Sequence, residues 1–200
     1  MPNWCYTSYA VEGPKEQLQK LSDLMNHVAS MPRPGLVKND FGSSWLGNLV
    51  SALGVDPLSQ PELRCRGEYY NVDLNQSGYL TFDTMTAWCE ADGTRHLIEE
   101  KFPGVHLYFI SEEFGCNYWE TNDVEGKYFS ERYYFRAENF DDENDGNYYD
   151  TLPELIEAVE KATGVTGLQT FEDCDETLQE HEDGDCAYAL YSVSFENQDE

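Results

Sequence analysis

The side chains with reactive chemistry are few and scattered. Cys5, Cys65, Cys89, Cys116, Cys174 and Cys186 include no Cys-x-x-Cys pair. That is the spacing by which one short loop offers two thiolates to zinc, so free thiols packed as small hydrophobes are expected. Cys5 is the thiol to weigh as a nucleophile, a role that needs a neighbouring His or cation to lower its pKa. The sequence shows no such neighbour, and a place in the core is expected. His27, His96, His106 and His181 each stand alone and read as surface or packing residues. Phosphate loops of the Gly-x-x-x-x-Gly-Lys or Gly-x-Gly-x-x-Gly type, His-Glu-x-x-His and Gly-x-Ser-x-Gly are all missing. Asp141-Asp142-Glu143-Asn144-Asp145-Gly146 begins as a calcium loop does, with oxygen ligands at the first, third and fifth positions. The twelfth position, which should be Glu, is Leu152. The segment therefore reads as a solvated acidic loop, and neither metal, cofactor nor catalytic residue is expected.

Charge is the larger signal. Thirty-nine Asp and Glu against 12 Lys and Arg give the 200 residues a net charge of -27. Residues 1–110 hold 13 acids and 8 bases, net -5, whereas residues 111–200 hold 26 acids and 4 bases, net -22. Direct binding to nucleic acid or anionic lipid requires Lys and Arg to neutralise phosphates, and this balance excludes it. Two stretches without a base carry much of the charge. The first holds Glu138, Asp141, Asp142, Glu143, Asp145 and Asp150; the second holds Glu172, Asp173, Asp175, Glu176, Glu180, Glu182, Asp183 and Asp185. Glu154 and Glu157 lie between them, and these sixteen carboxylates are the expected partner-binding face. Area scaling gives a folded surface of about 9,600 Å², or about one net charge per 360 Å². Gathering most of it on one part of that surface costs stability through self-repulsion, a cost that a basic partner would offset.

The elements that must position these groups follow from periodicity. Asn3 to Val11 reads as a strand ended by Gly13-Pro14, and Lys15 to Ala29 as a helix with Leu18, Leu21, Met25 and Val28 on one face. Met31-Pro32-Arg33-Pro34-Gly35 breaks it, and Ser44 to Leu53 forms a shorter helix before Gly54. Tyr69–Leu74 and Tyr79–Trp88 form a hairpin about Asn75-Gln76-Ser77-Gly78. Asp92 starts a helix closed by Pro103-Gly104, and Val105 to Ile110 is an apolar strand. Tyr118–Glu120 and Tyr128–Phe135 read as a second hairpin turned at Glu125-Gly126. Thr151-Leu152-Pro153-Glu154 is a capping box for a helix that Gly164 stops, and Tyr188 to Phe195 is the last strand.

This order predicts an α+β fold, a largely antiparallel sheet with helices packed on one face. The subset strand–helix–hairpin–helix–strand is the ferredoxin-like order, extended here by an extra hairpin, helix and strand. With no linker between the halves, residues 1–200 are expected to form one domain, with 30–64 as a helical insertion and 138–150 and 172–185 as acidic loops. No apolar run approaches the ~20 residues of a membrane span. The first 30 residues carry Glu12, Lys15, Glu16, Lys20 and Asp23 where a signal peptide needs apolar residues. A cytoplasmic location is expected.

Met1-Pro2-Asn3-Trp4-Cys5, followed by Val11-Glu12-Gly13 and an amphipathic helix, resembles the Api-ninety-two-like proteins carried by phages, plasmids and gut bacteria. Phe82-Asp83-Thr84-Met85-Thr86-Ala87-Trp88 and Lys101-Phe102-Pro103-Gly104-Val105 are similar to that family's Thr-rich strand ending in Trp and its Phe-Pro turn into the next strand. The resemblance implies a ferredoxin-like domain and a mobile-element setting in a bacterial host cell. It covers neither residues 30–64 nor the acidic part from 138 onward, and it brings no catalytic residues.

Three readings of function follow. The first is a non-enzymatic interaction module of a phage or bacterial mobile element, whose protein partner recognises its surface, including the aromatic-rich sheet. The second is an acidic mimic of DNA that inhibits a host nuclease or defence complex by occupying its basic groove. The third is a binder of a small nucleotide-like ligand, or an enzyme, using Tyr128, Tyr133 and Tyr134 with Arg132 and Arg136 as a pocket for a planar anion. Cross-strand packing accounts for those five residues equally well.

Overall fold

Strand β1 (Trp4–Glu12) obeys a two-residue period: Cys5, Thr7, Tyr9 and Val11 are buried on one side, while Tyr6 and Ser8 are exposed on the other. The computed structural model describes residues 3–33, 35–138, 144–181 and 187–196, and they divide into two compact units. The first comprises residues 1–123 and 196–200, the second 124–195. The expectation of one domain over the whole chain is thus replaced by two bodies, each with its own apolar core.

In the first unit, the Pro14 carbonyl accepts the Gln17 and Leu18 amides and starts helix α1 (Lys15–Ala29). Its Leu18, Leu21, Met25 and Val28 are buried as the spacing predicted. Residues 30–64 contribute one short helix, α2 (Leu46–Ala52), and a 3-10 turn at Pro61–Leu63. The fully buried Asn48 organises the loop before α2: its Oδ1 accepts the Val37 amide at 3.0 Å and its Nδ2 donates to the Gly42 and Ser43 carbonyls. Strands β2 (Gly67–Leu74) and β3 (Leu80–Ala87), helix α3 (Asp92–Lys101), and strands β4 (His106–Glu113) and β5 (Tyr118–Thr121) follow. They lie in the order β2-β3-β1-β4-β5, each antiparallel to its neighbour. Both helical crossovers, β1 to β2 and β3 to β4, skip one strand. The inward side chains Val11, Leu80, Phe82, Leu107 and Phe109 pack with residues of α1, α2 and α3 in one apolar cluster. Trp4 is half-buried and meets the Phe41 ring edge-on at 6.2 Å.

The hairpin expected from Tyr118–Glu120 and Tyr128–Phe135 does not form. Tyr118–Thr121 pairs with β4, while the second run begins another sheet. Asn122 is the reason: its Oδ1 accepts the Phe109 amide and its Nδ2 donates to the Leu107 carbonyl, both at 2.8 Å, so a side chain takes the ladder positions where a longer β5 would pair. Among the described residues, no helix is long and apolar enough to cross a membrane.

The second unit orders its strands β7-β6-β8, with β6 (Tyr133–Glu138) between β7 (Asn144–Tyr149) and β8 (Ala187–Ser192). The expected last strand is divided: β8 stops at Ser192, the Val193 amide turns to the Arg132 carbonyl, and Ser194–Phe195 forms a two-residue β9. Helices α4 (Leu152–Thr163) and α5 (Phe171–His181) supply Leu155, Val159, Ala162, Cys174 and Leu178 to a core closed by Phe135 and Ala137. The two acidic loops expected at 138–150 and 172–185 therefore contain regular structure, strand β7 in the first and most of α5 in the second.

Helix α3 packs so closely on the 3-10 turn that Thr94 Oγ1 donates to the Leu63 carbonyl at 2.6 Å, and a Cβ on Gly93 would collide with the Glu62 carbonyl oxygen. Alanine in a helix gains about 1 kcal/mol over glycine, whereas overpacking costs about 1–3 kcal/mol and here the obstacle is backbone. Gly93→Ala is expected to lower stability in denaturant titration, against its helix propensity; a rise would show that the turn yields.

Candidate functional site

The carboxylates expected to face a partner fall into distinct groups. Asp141, Asp142, Glu143, Glu182, Asp183 and Asp185 lie outside the described residues, and Asp145 falls within β7. Several of the others serve the fold. Glu154 completes the capping box of α4, accepting the Thr151 amide at 3.0 Å. Asp173 does the same work for α5: its Oδ2 accepts the Gln169 and Thr170 amides at 2.9 and 3.0 Å while its own amide donates to Thr170 Oγ1. Those two backbone donors hold the Asp173 carboxyl below the usual range. Asp175 accepts the Tyr188 hydroxyl at 3.0 Å and Gln179 Nε2 at 2.8 Å. Glu138 pairs with Arg136.

The remaining five, Asp150, Glu157, Glu172, Glu176 and Glu180, make no hydrogen bond or ion pair among the described residues. Helix geometry collects three of them. Cys174 and Leu178 face the core of the unit, and Glu172, Glu176 and Glu180, four residues apart and all exposed, form a ridge elsewhere on α5. Their spacing along the axis is about 6 Å. Asp150 and Glu157 line a groove of about 550 Å³ with Tyr148, Tyr149, Glu154 and Lys161. A second groove, of about 280 Å³, runs beside Asp173, Glu176 and Glu180.

The planar-anion pocket of the third reading, around Tyr128, Tyr133, Tyr134, Arg132 and Arg136, is not assembled; Tyr128 has the Lys127 ammonium 5.2 Å from its ring centroid. Adjacent residues of a strand point to opposite faces. Tyr133 packs against Phe171 at 6.0 Å, while Tyr134 sits between Tyr148 and Tyr191 at 5.1 and 6.1 Å. Arg132 donates to the Phe129 and Glu131 carbonyls and lies over the Phe195 ring, and Arg136 is taken by Glu138.

In the first unit, Cys5 is fully buried, with Sγ 3.0 Å from Ser111 Oγ. Burial pushes its thiol up to about 11, against the hydrogen bonds that oppose it, so it is protonated at neutral pH and unsuited to attack. Nearby lies an arrangement that no sequence motif announced. Glu90, Arg95 and Tyr9 are each about 3% exposed. The Tyr9 hydroxyl donates to Glu90 Oε1 at 2.5 Å, Arg95 Nε reaches the same oxygen at 3.3 Å, and Arg95 Nη2 pairs with Glu196. The guanidinium also lies over the Phe109 ring, 4.9 Å from its centroid. Glu90, Arg95 and Tyr9 are closed against solvent and hold charge inside the fold, while the Glu196 side chain is partly exposed. Glu90 precedes α3 and Arg95 lies in its first turn, but Tyr9 and Glu196 are brought by β1 and the returning chain, a convergence that only folding reveals.

Burial raises the Glu90 carboxyl to about 7, opposed by the Arg95 charge and the Tyr9 hydrogen bond. The fold thus favours its protonated form. That contribution to stability is complete below the ordinary value of 4.5 and is lost as pH rises through about 7. The melting-temperature difference between wild type and Glu90→Gln is expected to favour wild type more at pH 5 than at pH 8; a difference independent of pH would contradict this environment for Glu90. No family model, curated protein or solved structure matches this chain.

Proposed function

We propose that the chain is a non-enzymatic binding protein of a phage or bacterial mobile element, acting in the host cytoplasm and engaging a basic protein partner through the carboxylates of its second unit. The observation that carries the reading is the α5 ridge, on which Glu172, Glu176 and Glu180 are exposed and unneutralised. Residues 124–195 hold 19 acids and 4 bases, net -15. The field around the ridge is one that steers cationic surfaces and repels nucleic acid. The mobile-element setting rests on the resemblance of the first 13 residues and of 82–105. For the first unit we propose a ferredoxin-like fold, which the β2-β3-β1-β4 order and its two strand-skipping crossovers support.

Mimicry of DNA is the weaker version of the same electrostatics. One carboxylate per ~6 Å along a helix is about half the linear charge of one DNA strand, which carries a phosphate per ~3.4 Å. The ridge alone suits a protein partner better than a groove built for duplex phosphates.

The test is affinity capture from a bacterial lysate with wild type and a Glu172→Gln/Glu176→Gln/Glu180→Gln variant, at 50 and 300 mM salt. Wild type is expected to retain basic proteins at low salt and lose them at high salt, and the variant to retain at least about tenfold less. Equal retention by both, or retention indifferent to salt, removes the ridge from the function. The variant's melting temperature is expected to hold or rise, because like charges have been removed.

A further inference from the structure

The face of the first unit's sheet turned away from its helices carries Tyr6, Ser8, Tyr70 and Asp83. In the register, Asp83 of β3 stands directly opposite Ser8 of β1 and Tyr70 of β2, and Tyr6, opposite Met85, is its diagonal neighbour. Side chains directly opposite lie about 5 Å apart at Cβ and diagonal ones about 7–8 Å, so the two tyrosines flank the carboxylate on the same face. Tyr6 is 51% and Tyr70 37% exposed.

The carboxylate is held by neutral donors only. Ser8 Oγ donates to Oδ1 at 2.9 Å and Asn71 Nδ2 donates to Oδ2 at 2.8 Å. Each oxygen keeps a free lone pair, and among the described residues no Lys or Arg reaches it. Two departures from regular strand structure build this. Aspartate is disfavoured within a strand. Asn71 adopts φ 55° where the β2–β3 register slips between Tyr70 and Asp73, and that left-handed bulge presents its amide to Asp83. A strand aspartate and a bulge that departs from the regular ladder converge on one half-buried carboxylate, the kind of local irregularity found at functional positions. The strands that form this face add Glu12, Glu68, Asp73 and Glu112 to it by register, and neither Lys nor Arg.

We infer that Asp83, framed by Tyr6 and Tyr70, is a binding site for an arginine side chain of a protein partner. The guanidinium is planar, so it stacks on a tyrosine ring while its fork donates to both carboxylate oxygens; an ammonium makes only a point contact. Tyrosines supply contact area at low entropic cost, as they do at the centres of protein interfaces. The site depends on none of the carboxylates of the second unit.

The experiment is an NMR titration of the ¹⁵N-labelled full chain with the blocked peptide Gly-Ser-Arg-Ser-Gly, and with the same peptide carrying lysine or neutral citrulline. Saturable amide shifts are expected at Tyr6, Ser8, Tyr70, Asn71 and Asp83, strongest for arginine. Asp83→Asn, which keeps the shape and removes the charge, is expected to weaken binding at least about tenfold, and Tyr70→Ala about fivefold. The triple α5 variant described above is expected to bind the peptide unchanged, so failure of the ridge reading and failure of this one are separable. Shifts confined to α4 and α5, equal binding by Asp83→Asn in a folded protein, or equal binding of the lysine or citrulline peptide would overturn the assignment.

Discussion

A guanidinium with 3% of its surface exposed is the constraint on which the first unit depends. Arg95 cannot be left unpaired there, because breaking a buried ion pair by removing one partner costs about 3–5 kcal/mol. Its partners come from far apart in the chain: Glu90 just before α3, Tyr9 through Glu90, Phe109 from β4, and Glu196 from the returning end. The Glu196 amide also donates to the Thr121 carbonyl at 2.9 Å, so the returning residue is fixed through backbone and side chain together. Around this cluster the inward face of the sheet turns from Leu and Phe to Thr7, Thr84, Thr86 and Ser111, all buried. Thr7 and Ser111 share a hydrogen bond at 2.7 Å and Thr86 Oγ1 donates to the Cys89 carbonyl, while the apolar remainder of that face packs on the helices.

The second unit handles charge differently. Its carboxylates are spent first on backbone amides: Glu154 and Asp173 at helix starts, and Glu160 on the Gly167 and Leu168 amides beyond the end of α4. A strongly acidic segment can still form two helices because carboxylates at their starts favour the helix macrodipole and satisfy orphan donors. Only what is left over is available to a partner, and among the described residues that is Asp150, Glu157, Glu172, Glu176 and Glu180.

What could be read in advance follows from how local each signal is. Helix α1 and the capping box at Thr151 were legible because period, breaker and cap sit within a few residues of one another. Helix α5 was not, although Phe171, Cys174 and Leu178 have helical spacing: five acids among eleven residues masked the stripe. Strand β7 shows only Tyr148 and Tyr149 as β-prone signals around Gly146. The sequence order could not show that Asn122 would end β5 or send the next run to another sheet, because Asn122 acts on β4, thirteen and fifteen residues away. Nor could it single out Asp83, ordinary in the string and unusual only beside Asn71.

The bulge at Asn71 has a bearing on how copies of this chain behave at high concentration. Strand β2 is the outermost of its sheet, and an exposed flat border invites another polypeptide to add itself there. One end of that border is occupied by the bridge between Trp45 and Glu68, and the other is bent out of plane where the bulge breaks the ladder. The kink that presents an amide to Asp83 therefore also spoils the template for edge-to-edge stacking, and a tyrosine-rich sheet keeps its open face without becoming a seed for aggregation.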